Sequence, residues 1–202
     1  QDASVLPTIK ADVLRLEHAQ YSGKILVWQA KPEEDAAAID AAQQLYDGGF
    51  GHGPYVSGID KNGYGPMQYT TILAVTAWQL AGRCGVDAKP GCIKRALDFI
   101  HRGTNEIGYI AYGGEFTLNN GIVDSVAWRN STDGTNYVGR TSAAIVAHSL
   151  SPEFPESAAY LQRYRGYAKH AVKSMPDGHA DSNLGIFWGL MGAAASEDPA
   201  VL

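Results

Sequence analysis

The stretch that decides the fold is Asp47-Gly-Gly-Phe-Gly-His-Gly-Pro-Tyr55, a glycine-rich loop that leads into the apolar segment 67–81. Because glycine adopts turns that other residues avoid, such a loop marks a sharp change of chain direction before a helix. Two later stretches repeat the arrangement: Asp133-Gly-Thr-Asn-Tyr-Val-Gly-Arg140 before 141–150, and Asp177-Gly-His-Ala-Asp-Ser-Asn183 before 184–195. The chain therefore predicts three inner helices of small apolar residues, each beginning with polar side chains directed at a shared cavity.

Helices of more mixed composition are predicted between the inner ones. Pro32 followed by Glu33 and Glu34 is typical of a helix start, because proline fits the first turn and acidic side chains favour the positive end of the helix dipole. Outer helices are expected over 31–46, 89–102 and 151–174, and inner helices over 67–81, 143–150 and 182–195.

The alternation of outer and inner helices predicts an all-α fold, an α/α toroid or partial toroid of about three helical hairpins that pack on their neighbours. A short β-hairpin insertion is expected within 107–128, where Gly113-Gly114 and Asn119-Asn120-Gly121 are typical of turns. Residues 1–30 are expected to be an N-terminal arm or linker, and 31–202 the toroid domain. A closed ring commonly needs more helices, so we expect the rest of a longer chain, or a second subunit, to complete it.

Composition and charge narrow the class of protein. The 202 residues are 45% hydrophobic and 18% charged, which is typical of a globular protein with a real core. The formal net charge of -5, without a run of Lys or Arg, argues against nucleic acid as a partner. No apolar stretch reaches the ~18 residues of a membrane span, so no membrane partner is expected. The chain begins at Gln1 without a signal sequence, as a mature secreted or periplasmic protein or a trimmed chain would.

The two cysteines, Cys84 and Cys92, flank a loop between two predicted helices. The spacing leaves two interpretations open: a disulfide formed in an oxidising compartment, or two unrelated thiols. No spacing of Cys and His fits a zinc site, so the sequence predicts neither a metal nor a cofactor.

A family resemblance rests on the first loop and the helix after it. Residues 47–54, followed by Tyr69-Thr-Thr-Ile-Leu-Ala-Val-Thr-Ala-Trp78, resemble the glycine-rich loop and inner helix of the terpenoid-cyclase and protein-prenyltransferase toroids. The stretch 35–195 is most similar to an uncharacterised group of secreted bacterial toroid proteins. In that group an Arg-bearing loop precedes one inner helix and a Gly-His loop precedes a Trp-containing one, and Gly139-Arg140 and Gly178-His179 with Trp188 match this pattern.

The chemistry of the named toroid enzymes does not carry over. The aspartate-rich motifs with which terpenoid cyclases protonate substrate or bind diphosphate-linked magnesium are absent from the sequence, and the Asp/Cys/His zinc set of prenyltransferases cannot be assigned. Polysaccharide lyases are another branch of α/α toroids. They abstract the proton next to a uronate carboxylate with Tyr or His, while Arg, Asn or His neutralises the carboxylate. This chain has those residue types near its predicted helix starts.

The candidate site follows from that chemistry, since an enolate forms only where its charge is stabilised and a base lies within hydrogen-bond reach. The predicted catalytic residues are His52, Tyr112, Arg140 and His179. The predicted substrate-binding residues, which would stack on sugar rings or hydrogen-bond to them, are Tyr55, Asn136, Tyr137, Asn183 and Trp188.

Structural roles are the alternative for several of these residues. Arg140 stands at a predicted helix start, where the dipole disfavours a cation, and pairing with Asp124 or Asp133 would explain it. Tyr112 would equally serve as ordinary packing. The histidines within predicted helices are assigned to packing or to the surface: His101, His148 and His170.

Two functions from different classes stay open. The first is a secreted carbohydrate-active enzyme, a lyase that cleaves an acidic polysaccharide by β-elimination. The second is a non-catalytic toroid domain that binds a glycan or a protein partner. Convergence of His52, Arg140 and His179 in one concave pocket would favour the enzyme, and scattered positions would favour the binding domain.

Overall fold

The computed structural model describes residues 3–22, 46–51, 66–111, 138–171 and 182–196. Regular secondary structure in these ranges consists of a short 3-10 helix, Ala3–Val5, and six α-helices. The α-helices are α1 (Leu6–Ala19), α2 (Gln68–Arg83), α3 (Pro90–Arg102), α4 (Val138–Ser149), α5 (Glu156–Ala171) and α6 (Ser182–Ser196). Their contacts divide the chain into two compact units, residues 1–100 and 101–202.

The predicted all-helical class is confirmed, and α2, α3 and α6 begin and end within two residues of the predicted bounds. α3 shows why the spacing of apolar residues predicts a helix. Its buried side chains recur at helical spacing (Ile93, Ala96, Leu97 and Ile100). On its exposed side the Lys94 ammonium and the Asp98 carboxylate pair at 3.0 Å. The predicted outer helix 31–46 lies outside the described residues except for Tyr46, and α5 is described as far as Ala171.

The predicted start of the second inner helix at residue 143 is wrong, because α4 begins at Val138. Val138 packs with Tyr109, Tyr167 and Ala171 in a buried cluster. Arg140 is also buried inside the first turn, at 2% exposure. These tertiary contacts stabilise a helical turn that local propensity does not predict.

In the first unit, α1 packs against α2, and its C-terminal end binds the segment around Gly48. The Gln20 side-chain amide donates hydrogen bonds to the carbonyl oxygens of Gly48, at 3.0 Å, and Cys92, at 2.8 Å. Glu17 accepts the backbone N–H of Lys89, the residue before α3, at 2.9 Å. A carboxylate at this position favours a helix start. α1 therefore fixes the entry of α3 as well as the loop.

The first glycine-rich loop is fixed at Gly48 and Phe50. Gly48 has a φ of +87°, and a Cβ there would lie 2.1 Å from the Arg95 carbonyl oxygen of α3, so only glycine fits. Arg95 also reaches back to the loop, where its guanidinium donates to the Asp47 carboxylate at 3.0 Å. Phe50 hydrogen-bonds to the start of α2: its N–H donates to the Thr71 hydroxyl at 3.0 Å, and its carbonyl accepts the Met67 N–H at 2.8 Å.

The second unit contains a loop with the same two anchors, at Gly108 and Ile110. Gly108 has a φ of +93°, and a Cβ there would lie 2.4 Å from the Arg163 carbonyl oxygen of α5. The Gly108 carbonyl accepts the Thr141 hydroxyl of α4 at 3.1 Å. The Ile110 carbonyl accepts hydrogen bonds from Arg140, in the first turn of the same helix.

α4 lies between α5 and α6 within the second unit, and residues 138–148 are buried throughout. Small residues allow α6 to approach closely, because a Cβ on Gly192 would lie 2.7 Å from the Ser142 carbonyl oxygen. The other side of α6 is exposed and apolar. Its side chains are 40–62% exposed: Ile186 40%, Phe187 54%, Leu190 62% and Met191 44%.

Three further expectations meet the structure only in part. The predicted β-hairpin over 107–128 lies outside the described residues beyond Ala111; the part up to that point is a turn with a single bridge between Thr104 and Ile110 rather than a strand. Cys84 and Cys92 are free thiols in this structure. The boundary predicted near residue 30 falls within 23–45, outside the described ranges.

Candidate functional site

Of the nine predicted site residues, the structure describes the side chains of Arg140 and Trp188. Asn183 lies in the first turn of α6, and its side chain is outside the described part of the protein. The six others lie outside the described residues: His52, Tyr55, Tyr112, Asn136, Tyr137 and His179. Convergence of His52, Arg140 and His179 therefore stays a prediction.

Arg140 binds the backbone of its own unit. Its Nε and Nη2 atoms both donate to the carbonyl oxygen of Ile110, at 3.2 and 3.1 Å. The side chain is 2% exposed. The planar guanidinium suits such paired donation, which a lysine does not reproduce. These two hydrogen bonds anchor the loop 104–111 to the start of α4.

A buried tyrosine of α5, Tyr167, lies in the electrostatic environment of Arg140 and pairs with Tyr109. Tyr109 and Tyr167 meet edge to face with ring centroids 6.0 Å apart. Burial raises the pKa of the Tyr167 phenol above its usual range, and the neighbouring Tyr109 adds to this, while the Arg140 charge opposes it. A tyrosine base needs the opposite shift, because its phenolate must form near the working pH. Arg140, Tyr109 and Tyr167 are of residue types expected for a lyase, but burial keeps Tyr167 protonated.

Trp188 lies on the buried side of α6, at 9% exposure. Its ring contacts Phe187 edge to face, with centroids 5.1 Å apart. A tryptophan that stacks on sugars needs an exposed ring face. Trp188 therefore contributes to packing in this structure, and its neighbour Phe187, at 54% exposure, offers the more accessible ring.

The structure brings together two histidines that sequence reasoning assigned to packing or the surface. The Nε2 atoms of His101, in the last turn of α3, and His148, in α4, are 3.0 Å apart. His148 Nδ1 lies 2.9 Å from the Ala144 carbonyl oxygen, which can only accept, so we assign the proton to Nδ1. In neutral His148 the Nε2 atom then accepts, and His101 donates.

Tyrosines of α5 surround this pair. The His101 ring stacks on Tyr160 with centroids 3.6 Å apart, and Tyr164 meets His148 edge to face at 5.0 Å. Burial lowers the pKa of His148 to about 4, although its bond to Ala144 acts in the other direction. Burial raises the pKa of Tyr164 above its usual range, while its hydrogen bond with Thr104 opposes the shift. Both groups are therefore neutral at neutral pH.

No local sequence signal predicts the histidine pair, because its members are 47 residues apart. Among the described residues, no group of three or more His, Cys, Asp or Glu side chains is arranged to hold a metal ion. None of the described helices combines the length and the apolar character needed to cross a membrane.

The first unit contains an open apolar groove of about 270 Å³ between α1 and α2. Its apolar walls are formed by Ile9, Val13 and Leu16 of α1 and by Ala77 and Leu80 of α2. We call these five residues the α1–α2 groove. Asp12 at its edge pairs with Arg15 at 2.7 Å. The groove offers apolar contact and little that would polarise a bond, so it suits binding more than catalysis.

In the described residues, regular secondary structure is helical, and a glycine-anchored loop precedes α2 and α3 in one unit and α4 and α5 in the other. A family model described as a domain of unknown function, DUF6288, matches residues 29–202. Since this is most of the chain, the protein belongs to the DUF6288 family. Comparisons with curated proteins and with solved structures gave no significant match.

Proposed function

We propose that this chain is a non-catalytic domain of the α/α-toroid kind, which acts by binding a glycan or a protein partner. The alternation of small-residue helices (α4, buried throughout, and α6, buried on one side) with a mixed outer helix (α5) supports the toroid. A further helix, from a longer chain or from a second subunit, would complete such a ring. A secreted or periplasmic location remains part of the proposal, resting on the sequence resemblance alone.

The observation that carries this proposal is the environment of Arg140. A lyase needs its arginine free to neutralise a uronate carboxylate, whereas the Arg140 guanidinium donates twice to Ile110 from a position 2% exposed. Burying a substrate carboxylate here would also require expelling the packed side chains around it. The raised pKa of Tyr167 beside it argues against a tyrosine base at the same place.

The experiment that tests the proposal is a β-elimination assay with a panel of uronate-containing polysaccharides. Each elimination creates a carbon–carbon double bond conjugated to the uronate carboxyl, so turnover is seen as ultraviolet absorbance. The proposal expects no rise with folded protein. A rise that Arg140→Lys abolishes, with the circular dichroism spectrum and unfolding curve unchanged, would establish the lyase and overturn the binding domain. A matched control is Arg15→Lys, on the exposed side of α1.

A further inference from the structure

The imidazole rings of His101 and His148, which we call the histidine pair, meet head to head in the second unit. Their ring centres are 5.2 Å apart, and their Nε2 atoms are 3.0 Å apart. Since the difference is close to the diameter of one imidazole ring, each Nε2 atom points at the other, as in a hydrogen bond. Such a bond needs one nitrogen with a proton and one without. The pair therefore depends on its protonation state.

His148 is the less favourable place for an added proton. Its Nδ1 atom donates to the Ala144 carbonyl oxygen at 2.9 Å, so its lone pair is on Nε2. His148 is 1% exposed, and a cation at this depth would lose its hydration. Tyr164, which meets it edge to face at 5.0 Å, is a neutral phenol. A proton on Nε2 would also place an N–H group against the N–H group of His101.

His101 is the better place for an added proton. It is half-exposed at the end of α3, and its ring lies parallel to that of Tyr160 with centres 3.6 Å apart. A proton added at Nδ1 leaves the Nε2–H group in place and makes its hydrogen bond to His148 charge-assisted. The face of the tyrosine ring also attracts a cation. The Arg163 guanidinium, 4.9 Å from the same ring centre, opposes the new charge, but it is exposed to water, which screens it.

The nearest carboxylates along the described helices and loops are solvated or already paired. They are Asp98, Glu106, Glu153 and Glu156. Asp98 pairs with Lys94 at 3.0 Å, and the three glutamates are exposed. Arg102, which follows the pair's residue in α3, adds positive charge. α4 has no ionisable side chain over 141–147, and α6 has none over 182–196. Within the described residues, these elements therefore supply little negative charge to balance a second proton.

We propose that the histidine pair is an acid-sensitive switch, which accepts one added proton and is opened by a second. The first proton binds to His101 Nδ1 and keeps the hydrogen bond to His148. The second binds to His148 Nε2, so the N–H···N bond is replaced by two N–H groups and two positive charges at 3.0 Å. The rings then separate. The switch goes beyond the proposed function and does not depend on it.

The opening is confined to one end of α4, because the other end is held by groups that do not titrate in acid. Arg140 and Thr141, in the first turn of α4, donate to the carbonyl oxygens of Ile110 and Gly108. The histidine pair instead joins the C-terminal half of α4 to the end of α3, and the stack on Tyr160 adds α5. Acid should therefore loosen the C-terminal end of α4 before the unit unfolds.

The test is nuclear magnetic resonance of the full chain with ¹⁵N-labelled histidines, in steps from about pH 8 to about pH 3. The nitrogen shifts report which ring nitrogens carry protons, and a scalar coupling between the two Nε2 nuclei reports the hydrogen bond itself. The coupling should be present at neutral pH, persist when His101 becomes an imidazolium, and vanish when His148 is protonated. Circular dichroism at that pH should still show the helices.

Three results of this titration would overturn the switch. The first is the absence of the coupling at neutral pH. The second is protonation of His148 before His101. The third is loss of the coupling together with the helical circular dichroism signal, because the unit would then unfold as a whole and not open locally.

His101→Gln separates the two steps. A glutamine amide still donates to His148 but binds no proton, so the first step disappears. The second step should move to higher pH by about one unit or more, since no cation lies beside His148. His170→Gln, at an exposed position of α5, is the matched control and should change neither step. An unchanged second step in His101→Gln would show that the rings titrate independently, and would refute the switch.

Tyr160→Leu tests the same inference without altering either histidine. Loss of the aromatic face should move the first step to lower pH by about half a unit. The coupling at neutral pH should stay, because both histidines are intact. A first step at the wild-type pH would overturn the placement of the first proton on His101.

Discussion

The two glycine-anchored loops, residues 46–51 and 104–111, are held against neighbouring helices in the same way but by different side chains. In each, a glycine with positive φ lies against a backbone carbonyl of a nearby helix: Gly48 against Arg95, and Gly108 against Arg163. Two residues later, a carbonyl accepts a side-chain hydrogen bond from the next described helix. At Phe50 the donor is the Thr70 hydroxyl; at Ile110 it is the Arg140 guanidinium.

This difference in the donor explains why an arginine occurs at position 140, at a helix start where the dipole disfavours a cation. Thr70 also donates toward Met67, and the Phe50 carbonyl additionally accepts the Met67 N–H, so the first loop is fixed by several neutral groups. In the second loop the Ile110 carbonyl accepts hydrogen bonds from a buried cation, while the Gly108 carbonyl accepts the neutral Thr141 hydroxyl. A charged residue at a helix start is a reasonable sign of a binding site, yet here its hydrogen bonds to the Ile110 carbonyl correspond to the one that Thr70 donates to Phe50 in the other unit.

The two units also differ at a second pair of corresponding positions, residue 78 in α2 and residue 148 in α4. Trp78 lies seven residues after Thr71 in α2, and His148 lies seven residues after Thr141 in α4. Both are buried, at 1% exposure. Trp78 packs edge to face with Phe50 at 5.5 Å, whereas His148 hydrogen-bonds to His101. The second unit therefore contains a buried titratable group where the first has a tryptophan, and it should be the more sensitive to acid.

The largest effect is expected from replacing the anchor glycines. Gly48→Ala and Gly108→Ala should each lower the free energy of unfolding by at least about 3 kcal/mol, because a left-handed backbone costs ~1–2 kcal/mol and the new Cβ would also displace a backbone carbonyl. Urea denaturation of the purified variants measures this.

Gly85→Ala is the matched control for the glycine variants. Gly85 has a φ of +80°, and no atom lies within 4 Å of the position that an added Cβ would occupy, so this variant should lose only the backbone cost of ~1–2 kcal/mol. Equal losses at all three glycines would show that the helix carbonyls do not constrain the loops, and would break the comparison between them.

The next largest effect is expected on the stability of the second unit at acid pH. The folded-state pKa of His148 is about 4, below the ordinary 6.5, so the unfolded chain binds the extra proton between these values. Stability present above pH 6.5 should therefore fall as pH decreases towards 4, by about 3 kcal/mol in all. Urea unfolding at a series of pH values measures the slope.

His148→Gln should flatten this slope, since it removes the group whose protonation differs between the two states. The control is His170→Gln, on the exposed side of α5 in the same unit, which should leave the slope as it is in the wild-type protein. An unchanged slope in His148→Gln would assign the acid sensitivity to another group.

The smallest effect, of opposite sign, is expected at Gly166. This residue lies inside α5, three positions after Arg163, with nothing within 4 Å of an added Cβ. Gly166→Ala should stabilise the protein by about 0.5–1 kcal/mol, because alanine favours a helix interior. Thermal unfolding checks it. A loss of stability would mean that the α5 surface beside the Gly108 anchor is less open than it is in this structure.

Local sequence patterns predict a helix well where its own apolar periodicity determines its bounds. The apolar spacing from Ile93 to Ile100 and the proline at residue 90 fix α3 without knowledge of the rest of the chain. The start of α4 could not be predicted in this way, because its first turn is stabilised by Tyr109, Tyr167 and the Ile110 carbonyl, about 30 residues away in sequence.

The candidate site shows a similar limit. Glycine-rich runs draw attention to Gly48, but Gly108 stands alone between Ile107 and Tyr109 and has no such context. The sequence singles out Arg140 and leaves open whether it is a catalytic or a structural cation. Its hydrogen bonds to the Ile110 backbone carbonyl leave no trace in the residue pattern. The pairing of His101 with His148 likewise depends on tertiary packing within the second unit and not on spacing along the chain.

The central claim is that Arg140 anchors a loop, as Thr70 does in the other unit, and the most direct test is the unfolding free energy of Arg140→Met beside that of Thr70→Val. We expect Arg140→Met to lose about 2–3 kcal/mol, because the buried Ile110 carbonyl loses its charged donor. Thr70→Val should lose about 1 kcal/mol, since Phe50 keeps the Met67 N–H as a donor. Wild-type stability in Arg140→Met would contradict the account and return Arg140 to the set of ligand-binding residues.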